Sequence, residues 1–448
     1  MHEQTPMKAQ SFSTSYRWFV VIVLTIASTL SYIDRQILAL MVGPVKRDIG
    51  ISDTQISLLI GLAFTFVYSV LMVPMGWLAD KRSRRTIIGI GIFSWSGFTA
   101  VSGLAKDYTQ LFLARMGVGV GEATLAPAAY SLLADYFPRD RLPLAISVFS
   151  AAPFIGVGLA NILGGPLIGW LEQMPPVDVP LVGAVRSWQM TFFAVGIPGL
   201  FLAFVMRAVK EPPRVVDVAQ IVSPGRAVDG GQLLRFLRLR RKFLTFHFLG
   251  FLFLAMQGYA LFAWVVEFFI RQHDMPRGQI GVIYGIITLV AGLGGSMTGG
   301  SLAVWMMRRG SLDAPLVLVI RCALAIAPFA IAMPLVPDAW LAIVLLAPVT
   351  FIMSWPPGLS VAVLQAVLPN EIRARATALY LLAVTMVAVT LGPLVVGFLN
   401  DYIFLDEKAI GKTLSIMAAI NYPLGATCLF LCLRHFRRAL AELDKDNK

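Results

Sequence analysis

The chain has 448 residues, of which 57% are hydrophobic and only 14% charged. A soluble chain of this length would fold as two or three domains under a surface with about 25% charged residues. That shortfall excludes a cytosolic enzyme and a nucleic-acid-binding protein, and it leaves a polytopic membrane protein. The net charge of +12 then has to be read from where the basic residues lie.

The N-terminus is polar (1–17) and leads into an apolar run too long for a signal-peptide core, with no small-residue cleavage pattern. A spanning helix needs about 20 mostly apolar residues. Twelve such stretches follow in order: 18–45, 54–79, 86–104, 108–134, 142–171, 188–208, 243–272, 276–305, 313–333, 338–367, 376–401 and 412–434. They lack period-two alternation, and open sheet edges do not sit in lipid, so the spans are helices.

Lys and Arg divide 26 to 8 between the two sides, with Arg35, Arg115 and Arg321 inside spans. The positive-inside rule therefore puts both termini in the cytoplasm. The basic excess is a topology signal, and no nucleic-acid partner is expected.

The longest connection, 209–242, divides the spans six and six. It is rich in Pro and Gly and ends RFLRLRRKF, a stretch suited to lying on an anionic leaflet. The expected organisation is a cytoplasmic segment 1–17, a six-helix bundle 18–208, the linker 209–242, a second bundle 243–434 and a tail 435–448. The halves are related: LLADYFPRDRLPLA is echoed by LQAVLPNEIRARATA, and GGPLIGWL by LGPLVVGFL. Such internal repeats mark secondary transporters, with substrate near the midplane between halves.

After span 2 comes GWLADKRSRR (76–85). A helix-end carboxylate beside a basic turn can dock on a neighbouring helix's N-terminal dipole. The stretch resembles the loop motif of the major facilitator superfamily, with Gly76, Leu78, Asp80, Arg84 and Arg85 matching and Ser83 in place of the usual Gly. The resemblance implies an all-α fold of two pseudo-symmetric six-helix bundles. It also implies a latch at Gly76, Asp80, Arg84 and Arg85 that holds the cytoplasmic side shut in the outward-open state. The second-half counterpart, GSLAVWMMRRG (300–310), has Val304 where an acid would stand.

Within that superfamily, SYIDR (31–35) and RMGVGVGEATLAPAAYSLLADYFP (115–138) resemble the Spinster group of lipid-related transporters. The bacterial organic-anion symporters of hexuronate type share parts of both elements and are the competing resemblance. GVGLANILGGPLIG (156–169) partly resembles the span-5 antiporter motif, with Asn161 where that motif has Gly; symport and antiport both stay open.

Ionisable residues in a span cost about 2.5–3.5 kcal/mol each on insertion scales, so the few that occur mark function. Asp34 lies roughly 16 Å below the outer end of span 1, with Arg115 roughly 10 Å and Glu122 roughly 21 Å down span 4. Spans 1, 4, 7 and 10 line the cavity in this fold, and the charges of Asp34, Arg35, Arg115 and Glu122 sum to zero. Burial disfavours an ionised carboxylate and a nearby guanidinium restores it. An Arg115 moving between Asp34 and Glu122 would therefore switch which acid holds a proton. The alternative is a static salt-bridge network. Arg35, about 100° round the helix from Asp34, is left to brace a neighbour or to receive an anionic group.

Span 7 is rich in Phe, and its midplane polar groups are few: Gln257, Tyr259 and, on span 10, the Trp355 indole. A charged wall formed with Arg115 and Glu122, facing an apolar aromatic wall, suits an amphiphile with a charged head and a tail. The Spinster-like resemblance points the same way; a sugar acid is the alternative substrate. Glu267 and Arg271, four apart, read as a helix-surface ion pair, and Arg321 as a packing or snorkelling residue. Cys322, Cys428 and Cys432 lie in apolar runs and suggest no disulfide or metal site. No cofactor, no enzyme chemistry and a monomer in the membrane are expected.

Overall fold

The computed structural model describes residues 12–138, 141–180, 183–212 and 236–446. Most of the linker, including its Pro/Gly-rich part, lies outside the described residues, as do residues 1–11.

The first bundle contains α1 (Thr14–Leu40), α2 (Val42–Ile49), α3 (Asp53–Ile60), α4 (Leu62–Lys81), α5 (Arg84–Ser102), α6 (Tyr108–Glu122), α7 (Leu125–Tyr136), α8 (Leu142–Ser150), α9 (Ala152–Leu171) and α10 (Ser187–Val205). The second contains α11 (Arg241–His273), α12 (Arg277–Ile287), α13 (Leu293–Arg308), α14 (Ala314–Ala332), α15 (Ala339–Met353), α16 (Pro356–Gln365), α17 (Asn370–Phe398) and α18 (Ile410–Asp446). Among the described residues, ten helices are long and apolar enough to cross a membrane. The other two expected spans, 86–104 and 108–134, fall on α5 and on the α6–α7 pair.

Several expected spans are interrupted. Span 1 turns at Met41, and α2 carries Lys46 and Arg47 in its last turn before Gly50 ends it in the left-handed conformation (φ 72°). Span 5 breaks at Ala151 between α8 and α9, and span 10 at Ser354–Trp355, just before Pro356 and Pro357 begin α16. Proline fits the first turn of a helix because the N–H it lacks there has no intrahelical partner. Spans 8 and 11 contain π-helical segments, Thr288–Gly292 and Leu399–Phe404. The last helix continues through the expected tail to Asp446. A short antiparallel pair, Val177–Val179 with Gly183–Val185, lies between spans 5 and 6.

Ion pairs fix the relative orientation of the bundles. Arg271, near the end of α11, meets Asp53 at the start of α3, and Arg277 at the start of α12 meets the Leu40 carbonyl at the end of α1. Helices α1 and α11 therefore run in the same direction, and α18 ends on the side where both begin. We call that side the basic face and the opposite one the far face. Two hydrophobic clusters underlie the bundles, one within the first bundle around Val20, Leu24, Trp95 and Leu132. The other is centred on the second bundle and crosses to Leu38, Val42 and Ile56 at the far face.

Candidate functional site

Helix α1 presents its midplane residues to two neighbours. Ser31 and Arg35 are four apart and share one face, and both reach Glu122, the last residue of α6. The Ser31 hydroxyl donates to Glu122 Oε2 at 2.5 Å, and Arg35 approaches the same oxygen through Nε at 2.7 Å and Nη2 at 2.6 Å. Asp34, turned away from that face, accepts from Thr99 of α5 at 2.7 Å and from Arg115 at 3.2 Å. Asp34, Arg115 and Glu122 are buried.

In this conformation Arg115 pairs with Asp34, and Arg35, which the sequence left to brace a neighbour, pairs with Glu122. The cause is the helical angle between residues 34 and 35, which sends adjacent side chains to different partners. Two polar atoms are left unpartnered, Glu122 Oε1 and Arg115 Nε.

Arg35 is also enclosed by aromatic rings. Its guanidinium carbon lies 4.8 Å from the Tyr32 centroid, 4.4 Å from Phe64 and 4.9 Å from Tyr68. Its side chain keeps 24% exposure while that of Glu122 has none. A guanidinium among ring faces gains cation–π attraction and stays available to an incoming anion.

The second bundle contributes less than expected. Tyr259 is half-buried and within electrostatic reach of Arg35 and Tyr32. Gln257 is turned into its own bundle: its amide nitrogen approaches the Leu414 carbonyl at 3.5 Å, and its oxygen accepts from Asn421 at 3.2 Å. Trp355 packs edge-on to Phe351 and against Gly299, whose missing side chain makes room for the indole; its Nε1 has no partner. Neither residue faces the charged cluster, because α18 and α13 offer closer packing.

At the basic face the loop motif is assembled inside the first bundle. Arg84 is buried; it pairs with Asp135, donates to Glu211 Oε1 at 2.7 Å and reaches Ser131 Oγ at 3.1 Å. Ser83 and the Arg85 backbone also donate to Glu211, and the Arg85 side chain reaches the Val209 carbonyl at 3.0 Å. Burial pushes the Glu211 carboxyl up, and these hydrogen bonds outweigh it, holding it below its ordinary value of 4.5. Gly76 faces Pro127 of α7, and Leu78 packs on the first-bundle core. Asp80 is exposed and pairs with no described residue.

The far face holds a cluster that the sequence did not single out. Glu267 and Arg271 do pair, at 2.8 Å, but not as an isolated surface pair. Arg271 forks onto both oxygens of Asp53 at 2.7 and 3.0 Å, and Lys46 and Asn400 share that carboxylate. Glu407 accepts from Lys46 at 2.9 Å, and Arg277 reaches Glu172 at 3.5 Å. Asp401 caps α3 from the opposite bundle, accepting from the backbone N–H of Asp53 at 3.2 Å and of Thr54 at 2.6 Å. An acid in a first helical turn reads as an ordinary dipole partner, which is why Asp53 drew no notice. Arg321, by contrast, is exposed on α14.

Small residues let the bundles close behind this cluster. A Cβ on Gly61 would meet the Val389 carbonyl at 2.7 Å, and one on Gly281 would meet the Asn161 carbonyl at 2.8 Å. Asn161, the departure from the span-5 motif, is buried and donates to the Val157 carbonyl at 2.8 Å.

The sequence profile described as "Major Facilitator Superfamily" matches residues 24–393. An "MFS-type efflux pump" of Mycolicibacterium smegmatis is 29% identical over 95% of this chain and 94% of its own length. A "Probable L-galactonate transporter" of Escherichia coli is 25% identical over 65% of this chain and 62% of its own. "Protein spinster" of Drosophila melanogaster is 25% identical over 68% and 48%. The crystal structure of a bacterial homologue of the human lysosomal transporter Spinster, inward-facing and unoccupied, superposes with a TM-score of 0.79. It is 24% identical and covers 96% of this chain and 99% of that one.

Proposed function

The chain belongs to the Major Facilitator Superfamily, and from that premise we propose a proton-coupled secondary transporter that moves an amphiphile by alternating access. The observation that carries this reading is the pairing of a partly exposed arginine with a buried acid. Arg35 faces the interior among three rings, and its counter-ion Glu122 is sealed behind it. An anionic head group and the Glu122 carboxylate compete for one guanidinium. A proton on Glu122 frees Arg35 to take the head group, and release of that proton returns Arg35 to Glu122. Asp34 and Arg115 form a second pair one helical face away, so Asp34 is the partner acid in the exchange. The rings of Tyr32, Phe64 and Tyr68 supply apolar surface for the part of the substrate next to the head.

The far-face cluster supports a state closed on that side. Exposed Asp80 supports a basic-face latch that is undone in this state, with Arg84 and Arg85 still held in their own bundle. In the opposite state Asp80 would dock across the bundles, over Gly76.

Purified protein in liposomes tests the reading. A pH gradient should drive substrate uptake in the wild type. Glu122→Gln and Asp34→Asn should remove that proton dependence while leaving counterflow exchange measurable. Unchanged proton dependence in both variants would sink the proposal. A compact organic acid is the second reading, supported by the sugar-acid relatives. Competition by sugar acids without competition by single-chain amphiphiles would favour it.

A further inference from the structure

We infer that an anionic phospholipid of the leaflet on the basic face binds along α13, with its phosphate at Arg308. In the first bundle the latch arginine Arg84 is neutralised by Asp135 and Glu211. The repeat places Arg308 at the corresponding position of the second bundle. There Val304 stands for Asp80 and, in the echoed span ends aligned on Pro138 and Pro369, Ala366 stands for Asp135. Both acids have become apolar. The nearest acid along the chain, Asp313, is taken by Arg437 at 2.6 Å and by Ser311. Arg308 is exposed and has no acidic partner among the described residues.

A groove of about 550 Å³ lies beside it, lined by Met297, Gly300, Ser301, Val304, Trp305 and Arg308. These residues recur at three- and four-residue steps, so the groove follows one helix face from mid-helix to the basic end. A Cβ on Gly300 would meet nothing within 4 Å, which leaves space for an alkyl chain. At the mouth, Arg309 stacks on Trp305 with its guanidinium carbon 3.9 Å from the ring. An apolar trough ending in an uncompensated cation and an interfacial indole matches a tail, a phosphate and a glycerol boundary in that order. The second half has thus kept the basic residues of the motif, lost its acids, and become a surface for a lipid where the first half is a latch.

The test uses the full chain in neutral detergent, with lipid binding followed by native mass spectrometry. Wild type should retain phosphatidylglycerol several-fold more tightly than phosphatidylcholine. Arg308→Gln should weaken phosphatidylglycerol binding about fivefold, as expected for one basic residue at a membrane surface. Val304→Asp should do the same without removing the arginine, because an acid four residues before Arg308 pairs with it. Arg438→Gln, an equal loss of charge on the same face, should leave the preference in place. Equal retention of the two lipids by wild type, or equal weakening by Arg308→Gln and Arg438→Gln, would overturn the assignment. Displacement of the lipid by inorganic phosphate at matching concentration would also overturn it in favour of a free-anion site.

Discussion

The two ends of the molecule use similar charges in opposite ways. At the far face Asp53, Arg271, Arg277, Glu172 and Asp401 bind one bundle to the other. At the basic face Arg84, Arg85, Asp135 and Glu211 stay within the first bundle and its exit segment. The first cluster therefore belongs to one conformation, whereas the second accompanies the bundle through any rigid-body motion. A mutation at the far face should move a conformational equilibrium; one at the basic face should change the stability of a bundle.

The largest effect is expected at Asp53. Removing one member of a buried ion pair costs about 3–5 kcal/mol, all of it charged to the far-closed state. A Ser57→Cys probe, whose position contacts the Pro393 carbonyl at 2.9 Å across the bundles, should resist labelling from the far side. Adding Asp53→Asn should make it reactive; continued protection would show that the cluster does not hold the closure. Next comes steric blockade at Gly61. Gly61→Val would press on the Val389 carbonyl, so flux should fall more than tenfold while the purified protein stays monodisperse.

Smaller effects separate the basic face into its parts. Asp80→Asn should leave thermal stability in the present conformation unchanged and weaken only the opposite one, by about 1 kcal/mol if it docks on a helix N-terminus. Cysteine labelling from the basic side under conditions that favour that state would register it. The smallest effect concerns pH. Glu211 is held below its ordinary value of 4.5, so its contribution is full above 4.5 and is lost as pH falls through its folded value. Being half-buried, it should supply less than about 1 kcal/mol. The stability difference between wild type and Glu211→Gln should therefore narrow as the solution is acidified below 4.5; a difference that widened would assign Glu211 another role.

Much of this architecture was legible in the sequence. Span length and apolarity fix where helices run, because lipid leaves the backbone no other way to satisfy itself. The breaks were less visible. Ser354–Trp355 and Ala151 each had a signal in the prolines that follow, Pro356 and Pro153, whereas the π segments have none, since they depend on neighbouring helices. Of the embedded charges, all four stand out in the sequence but the Arg35–Glu122 pairing does not, because rotation by one residue decides which neighbour a side chain meets. Gln257 was misread for a related reason: its polarity is used by Asn421 and by the backbone at Leu414. The far-face cluster was missed because its members are scattered between residues 46 and 407, and each alone is an ordinary helix-end charge.

The far-face cluster also differs from rim to centre in its access to ions. Arg47, which pairs with Glu172 at 2.9 Å, and Glu407 are 69% and 65% exposed in their side chains, while Asp53 has no exposure and Arg271 only 8%. At physiological ionic strength the Debye length is about 8 Å, and exposed charges are screened far more than buried ones. Added salt should strip the rim and leave the Asp53–Arg271 fork nearly untouched. The far-side closure is therefore built to hold at similar strength in dilute and in saline surroundings.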